Sequence, residues 1–211
     1  MATRGTLVVA LVLALVGSVN AEASRRDSLM LWDDGEYEDY QNSFALSIGE
    51  FVAIGFDAPS WVHTVVGADV YVTPHPGGRL RAAASDTASA FVVHVWRCSR
   101  NPPLMPLNVK GSVAVPSGQP VDSWVSVRFA EPVGIVDIYE FRFFIGVEWL
   151  SNGSPAVGLD EDAPSSGWTR LGGGEWTEFG QGDAMIRAVV SDDLDPAVEA
   201  STWAAIKSLY R

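Results

Sequence analysis

Along this chain, short runs rich in Val, Ile, Phe, Tyr and Trp alternate with breaks of Gly, Pro, Asp and Ser. From Leu29 onward the runs "LMLW", "SFALSI", "FVAIGF", "WVHTVVGADVYV", "AFVVHVW", "VKGSVAV", "SWVSVRF", "FRFFIGVEWL", "GWTRL", "EWTEF" and "AMIRAVV" read as strands. Short strands punctuated by turn residues, with no helical periodicity, predict an all-β chain. The expected architecture over residues 29–190 is an antiparallel β-sandwich of jelly-roll type with roughly eight to ten strands.

The finer pattern assigns faces. In "WVHTVVGADVYV" the period of two puts Val62, Thr64, Val66, Ala68, Val70 and Val72 inward, and His63, Val65, Asp69 and Tyr71 toward water. In "SWVSVRF", Val125, Val127 and Phe129 oppose Trp124, Ser126 and Arg128 in the same way. "AFVVHVW" and "FRFFIGVEWL" are apolar on both faces, which predicts central strands. "LGGGEW" lies between two strand runs and reads as a hairpin turn, whereas "TPHPGGRLRAAASDTASA" reads as a long loop.

Both ends depart from the strand pattern. "MATRGTLVVALVLALVGSVNAEA" places Arg4 before an apolar run and small residues after it, which predicts a secretory signal peptide over residues 1–23, cleaved after Ala21 or Ala23. The apolar run is shorter than the ~20 residues a membrane span needs, so no span is expected after cleavage. At the other end, residues 191–211 read as an acidic spacer and a short C-terminal helix. Asp195 caps it, Pro196 opens it, and Trp203, Ile206 and Tyr210 form one apolar stripe. Such a short helix is marginal alone, so it is expected to dock a partner.

Composition narrows the partners. With 14 basic and 26 acidic residues the formal net charge is −12, and nucleic acid, which requires clustered Lys and Arg, is excluded as a partner. The single cysteine, Cys98, has no partner for an internal disulfide, so an exported domain must rest on its core.

Few residues offer chemistry. Glu148 stands in an apolar strand, on the face of Phe144, Gly146 and Leu150, and is expected to pair with an arginine such as Arg128, Arg142 or Arg187. A glycoside hydrolase would need a second carboxylate across a cleft, with Asp137 or Asp160 as candidates, but no second acid accompanies Glu148 at two-residue spacing. His63, His75 and His94 are scattered, without zinc spacing, and no GxSxG elbow marks a serine nucleophile. Acid clusters offer Asp33 and Asp34, and Asp160 and Asp162, as oxygen donors for a structural calcium; no other cofactor is expected. The 8 tryptophans are mainly packing residues, but Trp168 and Trp176 lie beside turn residues, where their rings could stack on sugars. His94, Trp96 and Tyr71 form a second candidate patch.

The segments "LWDDG", "FVAIGFDAP", "VHVW", "FIGVEWL", "PAVGLDED" and "GDAMIRAVV" together resemble an accessory β-sandwich domain of secreted bacterial multidomain proteins. That domain is similar to the wider jelly-roll, galactose-binding-like and carbohydrate-binding-module-like group. The resemblance implies an exported binding or adhesion module, secreted, periplasmic or at the cell surface, with a glycan or protein ligand. It carries no catalytic residues. The alternatives are the Glu148 hydrolase above and a purely structural surface component.

Overall fold

The computed structural model describes residues 28–30, 46–73, 87–99, 104–135, 142–152, 155–160, 167–178 and 182–192. The signal peptide, the C-terminal helix, His75, Asp33, Asp34, Asp137 and Asp162 lie outside them. In chain order the strands are β1 (Ser28–Met30), β2 (Phe51–Asp57), β3 (Thr64–Thr73), β4 (Thr87–Ala88), β5 (Phe91–Cys98), β6 (Pro106–Val115), β7 (Gln119–Pro120) and β8 (Ser123–Gly134). There follow β9 (Arg142–Trp149), β10 (Ala156–Val157), β11 (Leu159–Asp160), β12 (Gly167–Arg170), β13 (Trp176–Glu178), β14 (Asp183–Ala184) and β15 (Ile186–Ser191).

Every pairing among them is antiparallel. A front sheet runs β13-β12-β2-β9-β5-β6. A back sheet runs β1-β15-β3, with β8 on the far side of β3 and β10 joined to the end of β3. The short pairs β4-β7 and β11-β14 complete the described strands. Strands β9 and β5 sit in the middle of the front sheet, as their two-sided apolar character predicts.

One core lies between the sheets. Val52, Ile54 and Phe56 of β2, Val93 and Val95 of β5, and Phe143, Ile145, Val147 and Trp149 of β9 supply the front half. Val65, Ala68, Val70 and Val72 of β3, Val125 and Val127 of β8, and Ile186, Ala188 and Val190 of β15 supply the back half. Two antiparallel sheets sharing one apolar core form an all-β fold consistent with a β-sandwich. Trp149 is fully buried, and its indole N–H donates to the Pro155 carbonyl, which gives this large side chain a polar anchor inside the core.

The alternation in β3 needs one correction. Val65, expected to face water, is in the core, while Val66 is not part of that cluster. The register steps from Val65↔Val190 to Gly67↔Val189, and from Val65↔Val133 to Gly67↔Arg128. Toward β15, Val66 is thus the extra residue of a β-bulge, whereas toward β8 the longer stretch, residues 129–132, lies on β8. The bulge in β3 shifts the phase of every side chain on one side of it.

Candidate functional site

The outer face of the front sheet is built from cross-strand rows. One row runs Trp176, Arg170, Phe51, Glu148, Val92 and Ala114 across the six strands. The next runs Glu178, Trp168, Ala53, Gly146, His94 and Ser112. A third places Phe144 beside Trp96 and Val109. Residues far apart in sequence become neighbours here because antiparallel register sets them opposite one another.

Gly146 shapes this face. A Cβ at this position would fall on the Val52 carbonyl and lie 2.6 Å from Ala53 Cα, so β2 and β9 reach this spacing only with glycine there. The bare backbone also leaves room above it. Strands β5 and β2, with β9 between them, are about 9–10 Å apart, yet the Phe51 ring centroid is 5.9 Å from that of His94 and 6.1 Å from that of Trp96. These rings therefore lean together over β9. Trp176 closes the group, 5.4 Å from Trp96 and 5.9 Å from Phe51. Beneath lie Ala53, Trp96, Cys98, Phe144 and Trp168, a second apolar cluster on which Phe51, Met105 and Trp176 pack.

The hairpin that carries Trp176 is fixed locally. Gly172 and Gly173 have φ of 57° and 74°, a left-handed conformation that glycine adopts without steric cost. Glu50 then accepts from the Gly172 N–H at 3.1 Å and from the Ser47 N–H at 2.7 Å, tying the turn to the start of β2. Arg170 Nε donates to the Gly174 carbonyl at 3.0 Å, and its guanidinium lies 5.5 Å from the Phe51 centroid, a cation–π contact.

The polar part of the site is a chain of three side chains. His94 Nε2 is 2.8 Å from Glu148 Oε2, and His94 Nδ1 is 2.7 Å from Ser112 Oγ. A carboxylate can only accept, so Nε2 carries a hydrogen donated to Glu148. In the neutral ring Nδ1 is then bare and accepts the Ser112 hydroxyl hydrogen. Glu148 thus sets the tautomer of His94, and His94 holds the Ser112 hydroxyl. The ring is tilted against Phe51 and Trp96 and is 9 % exposed, so packing restricts its orientation. Ser112 itself is exposed.

The partner of Glu148 is therefore a correction: it is His94 in place of Arg128, Arg142 or Arg187. Arg142 lies near Asp57 and over the Phe144 ring, and Arg187 stacks 3.8 Å from the Trp124 centroid on the back sheet. His94, Trp96, Trp168 and Trp176, placed in two patches from the sequence, meet in one. Tyr71 does not join them, since it lies in β3 of the other sheet with its ring 5.4 Å from Trp124. Trp168 is buried, which makes it a support for Trp176 rather than a rim residue.

The acids stand elsewhere. Asp160 is buried in β11, directly opposite Asp183, which is also buried. Among the described residues no group of three or more His, Cys, Asp or Glu side chains could hold a metal ion. The other named calcium donors, Asp33, Asp34 and Asp162, lie outside the described residues.

Ser112 is the residue that sequence reasoning missed. A lone histidine in one apolar strand and a lone glutamate in another were the available signals, since each needs a polar partner once the strands are central. Beside Ser112, where β6 and β8 approach, lies an open groove of about 440 Å³ lined by Lys110, Gly111 and Ser112 on one side and Phe129 to Gly134 on the other. Among the described residues no helix is long and apolar enough to cross a membrane. No protein-family model, curated protein or solved structure matches the chain.

Proposed function

We propose that this protein is an exported β-sandwich of jelly-roll type that binds a neutral glycan on the outer face of its front sheet. The observation that carries this reading is the juxtaposition of half-buried aromatic rings, Phe51 and Trp176, with the polar edge formed by Glu148, His94 and Ser112. A sugar ring presents apolar C–H faces and a rim of hydroxyls. Flat rings beside a few fixed donors and acceptors match that mixed surface. The net charge of −12 disfavours anionic polymers and so points to uncharged saccharides. Export rests on the N-terminal pattern, and the C-terminal helix is proposed to dock a separate partner.

Native electrophoresis in gels containing soluble β-glucan, xylan or mannan tests the binding reading. The protein should be retarded by at least one of them, Trp176→Ala should migrate freely, and Trp124→Ala on the back sheet should behave as the parent. Absence of retardation on all of them, or loss of retardation only in Trp124→Ala, would refute the assignment. Export is checked by N-terminal sequencing of the mature protein, which should begin at Glu22 or Ser24.

A further inference from the structure

We infer that Ser112 is an activated nucleophile that accepts acyl groups from carboxylic esters lying on the outer face of the front sheet beside β6. Three arrangements support this beyond the binding reading, and the inference stands whether or not a glycan binds. The first is the hydrogen-bond order. With Nε2–H committed to Glu148 at 2.8 Å, the lone pair of Nδ1 is aimed at the Ser112 hydroxyl at 2.7 Å. A nucleophile bonded to a base, with the base oriented by a third group, is the arrangement covalent acyl transfer requires. In the serine triad the nucleophile sits on Nε2 and the carboxylate on Nδ1; here the two are exchanged, with nucleophile and carboxylate still on opposite nitrogens.

The second arrangement is the contrast in burial along the relay. His94 is 9 % exposed and confined between aromatic rings, whereas Ser112 is exposed. The base is held still while the reacting oxygen is open to substrate. The third is the supply of positive and hydrogen-bonding groups. Lys110 is exposed two residues before Ser112 on β6, and among the described residues β6 is the last strand of its sheet, so alternate backbone N–H groups of β6 face away from β5. These are donors of the kind that stabilise a carbonyl oxygen as it gains charge.

The reaction balances without a redox partner. Ser112 Oγ attacks the ester carbonyl carbon while His94 Nδ1 takes its proton, and a tetrahedral intermediate forms. The bond to the alkoxy oxygen then breaks, and His94 returns the proton to the departing alcohol, leaving an acyl ester on Ser112. Water attacks that ester with His94 again accepting a proton, and the carboxylic acid leaves as Ser112 recovers its hydrogen. Glu148 is a positioning residue throughout.

A fluorophosphonate ester is the probe, because it phosphonylates activated serines and needs no sugar. The intact protein is incubated with it and the modified residue is mapped by peptide mass spectrometry. Ser112 should be labelled about 100-fold faster than Ser126, an exposed serine on the back sheet, since a positioned general base contributes at least about that much. His94→Gln should remove that advantage, and Ser112→Ala should abolish labelling at this site while retaining the parent's circular dichroism. In Glu148→Gln, whose amide can accept from Nε2–H through its oxygen or donate to a bare Nε2 through its nitrogen, the labelling should slow, and nitrogen-15 spectra should show His94 divided between the two tautomers. Glu148→Asp should restore part of both. Labelling of Ser112 no faster than Ser126 in the folded protein would overturn the inference, as would an unchanged labelling rate in His94→Gln.

Discussion

Replacing Glu148 by alanine removes the only acceptor recorded for His94 Nε2 among the described residues, at 2.8 Å. The side chains involved are 11 % exposed for His94 and 26 % for Glu148, so the pair is mostly, but not wholly, shielded from water. A hydrogen bond to a charged group contributes about 1.5–3 kcal/mol net, and the accessible edge of Glu148 places this one near the lower end. Glu148→Ala should therefore cost about 2 kcal/mol, and Glu148→Gln about 1 kcal/mol, because its amide oxygen can still accept from Nε2–H. His94→Ala should cost more than either, since it also removes a ring packed against Phe51 and Trp96, each aromatic contact contributing about 0.5–1.5 kcal/mol. A double-mutant cycle separates these effects. Urea unfolding of the parent, Glu148→Ala, His94→Ala and the double variant, followed by far-ultraviolet circular dichroism, should give a coupling energy of about 1.5 kcal/mol. A coupling within about 0.5 kcal/mol of zero, the usual scatter for independent sites, would show that the two side chains are neighbours without a functional bond and would refute the relay.

Other consequences follow from the same geometry. Gly146→Ala drives a Cβ into the backbone of β2 and should lower stability by about 3 kcal/mol, at the upper end for overpacking because backbone must move; an unchanged melting curve would contradict the close approach. Trp149→Ala empties a fully buried site and leaves the Pro155 carbonyl without its donor, so a loss of about 3–5 kcal/mol is expected in urea unfolding, and a loss under 1 kcal/mol would contradict the placement of this ring. The calcium expectation for the "GLDED" segment is checked by melting the metal-stripped protein in calcium and in chelator. A higher melting temperature in calcium supports a structural staple by mass action, and identical curves retire it.

Most long strands were legible because each apolar run carries its own signal. The described part of "SFALSI", residues 46–48, is instead coil and turn, and the two-residue strands β4, β7, β10 and β11 had no run to mark them. "AFVVHVW" and "FRFFIGVEWL" announce central positions through their two apolar faces, and "LGGGEW" announces the β12–β13 hairpin through its glycines. The phase of β3 was not legible, because the bulge at Val66 arises from its pairing with β15, and nothing in "HTVVGADV" marks the skipped residue. The candidate site was half visible for a similar reason. Trp96, Trp176, His94 and Glu148 each stand out on their own strands, but their meeting depends on the order β12-β2-β9-β5-β6. Ser112 is 18 residues from His94, and Glu148 is 54 residues from it, and sheet order cannot be read from such separations. Tyr71 shows the converse. Its alternation was right in being outward, but outward on β3 means the opposite side of the molecule.

The claim on which the rest depends is that the outer face of the front sheet receives the ligand. Titration of the isotope-labelled protein with neutral cello-, xylo- and manno-oligosaccharides, read at the tryptophan indole N–H signals, tests it most directly. Trp176 should shift with at least one series, and Trp124, on the back sheet beside Tyr71, should stay fixed. Shifts at Trp124 with Trp176 unmoved, or no shift at Trp176 with any series, would contradict it.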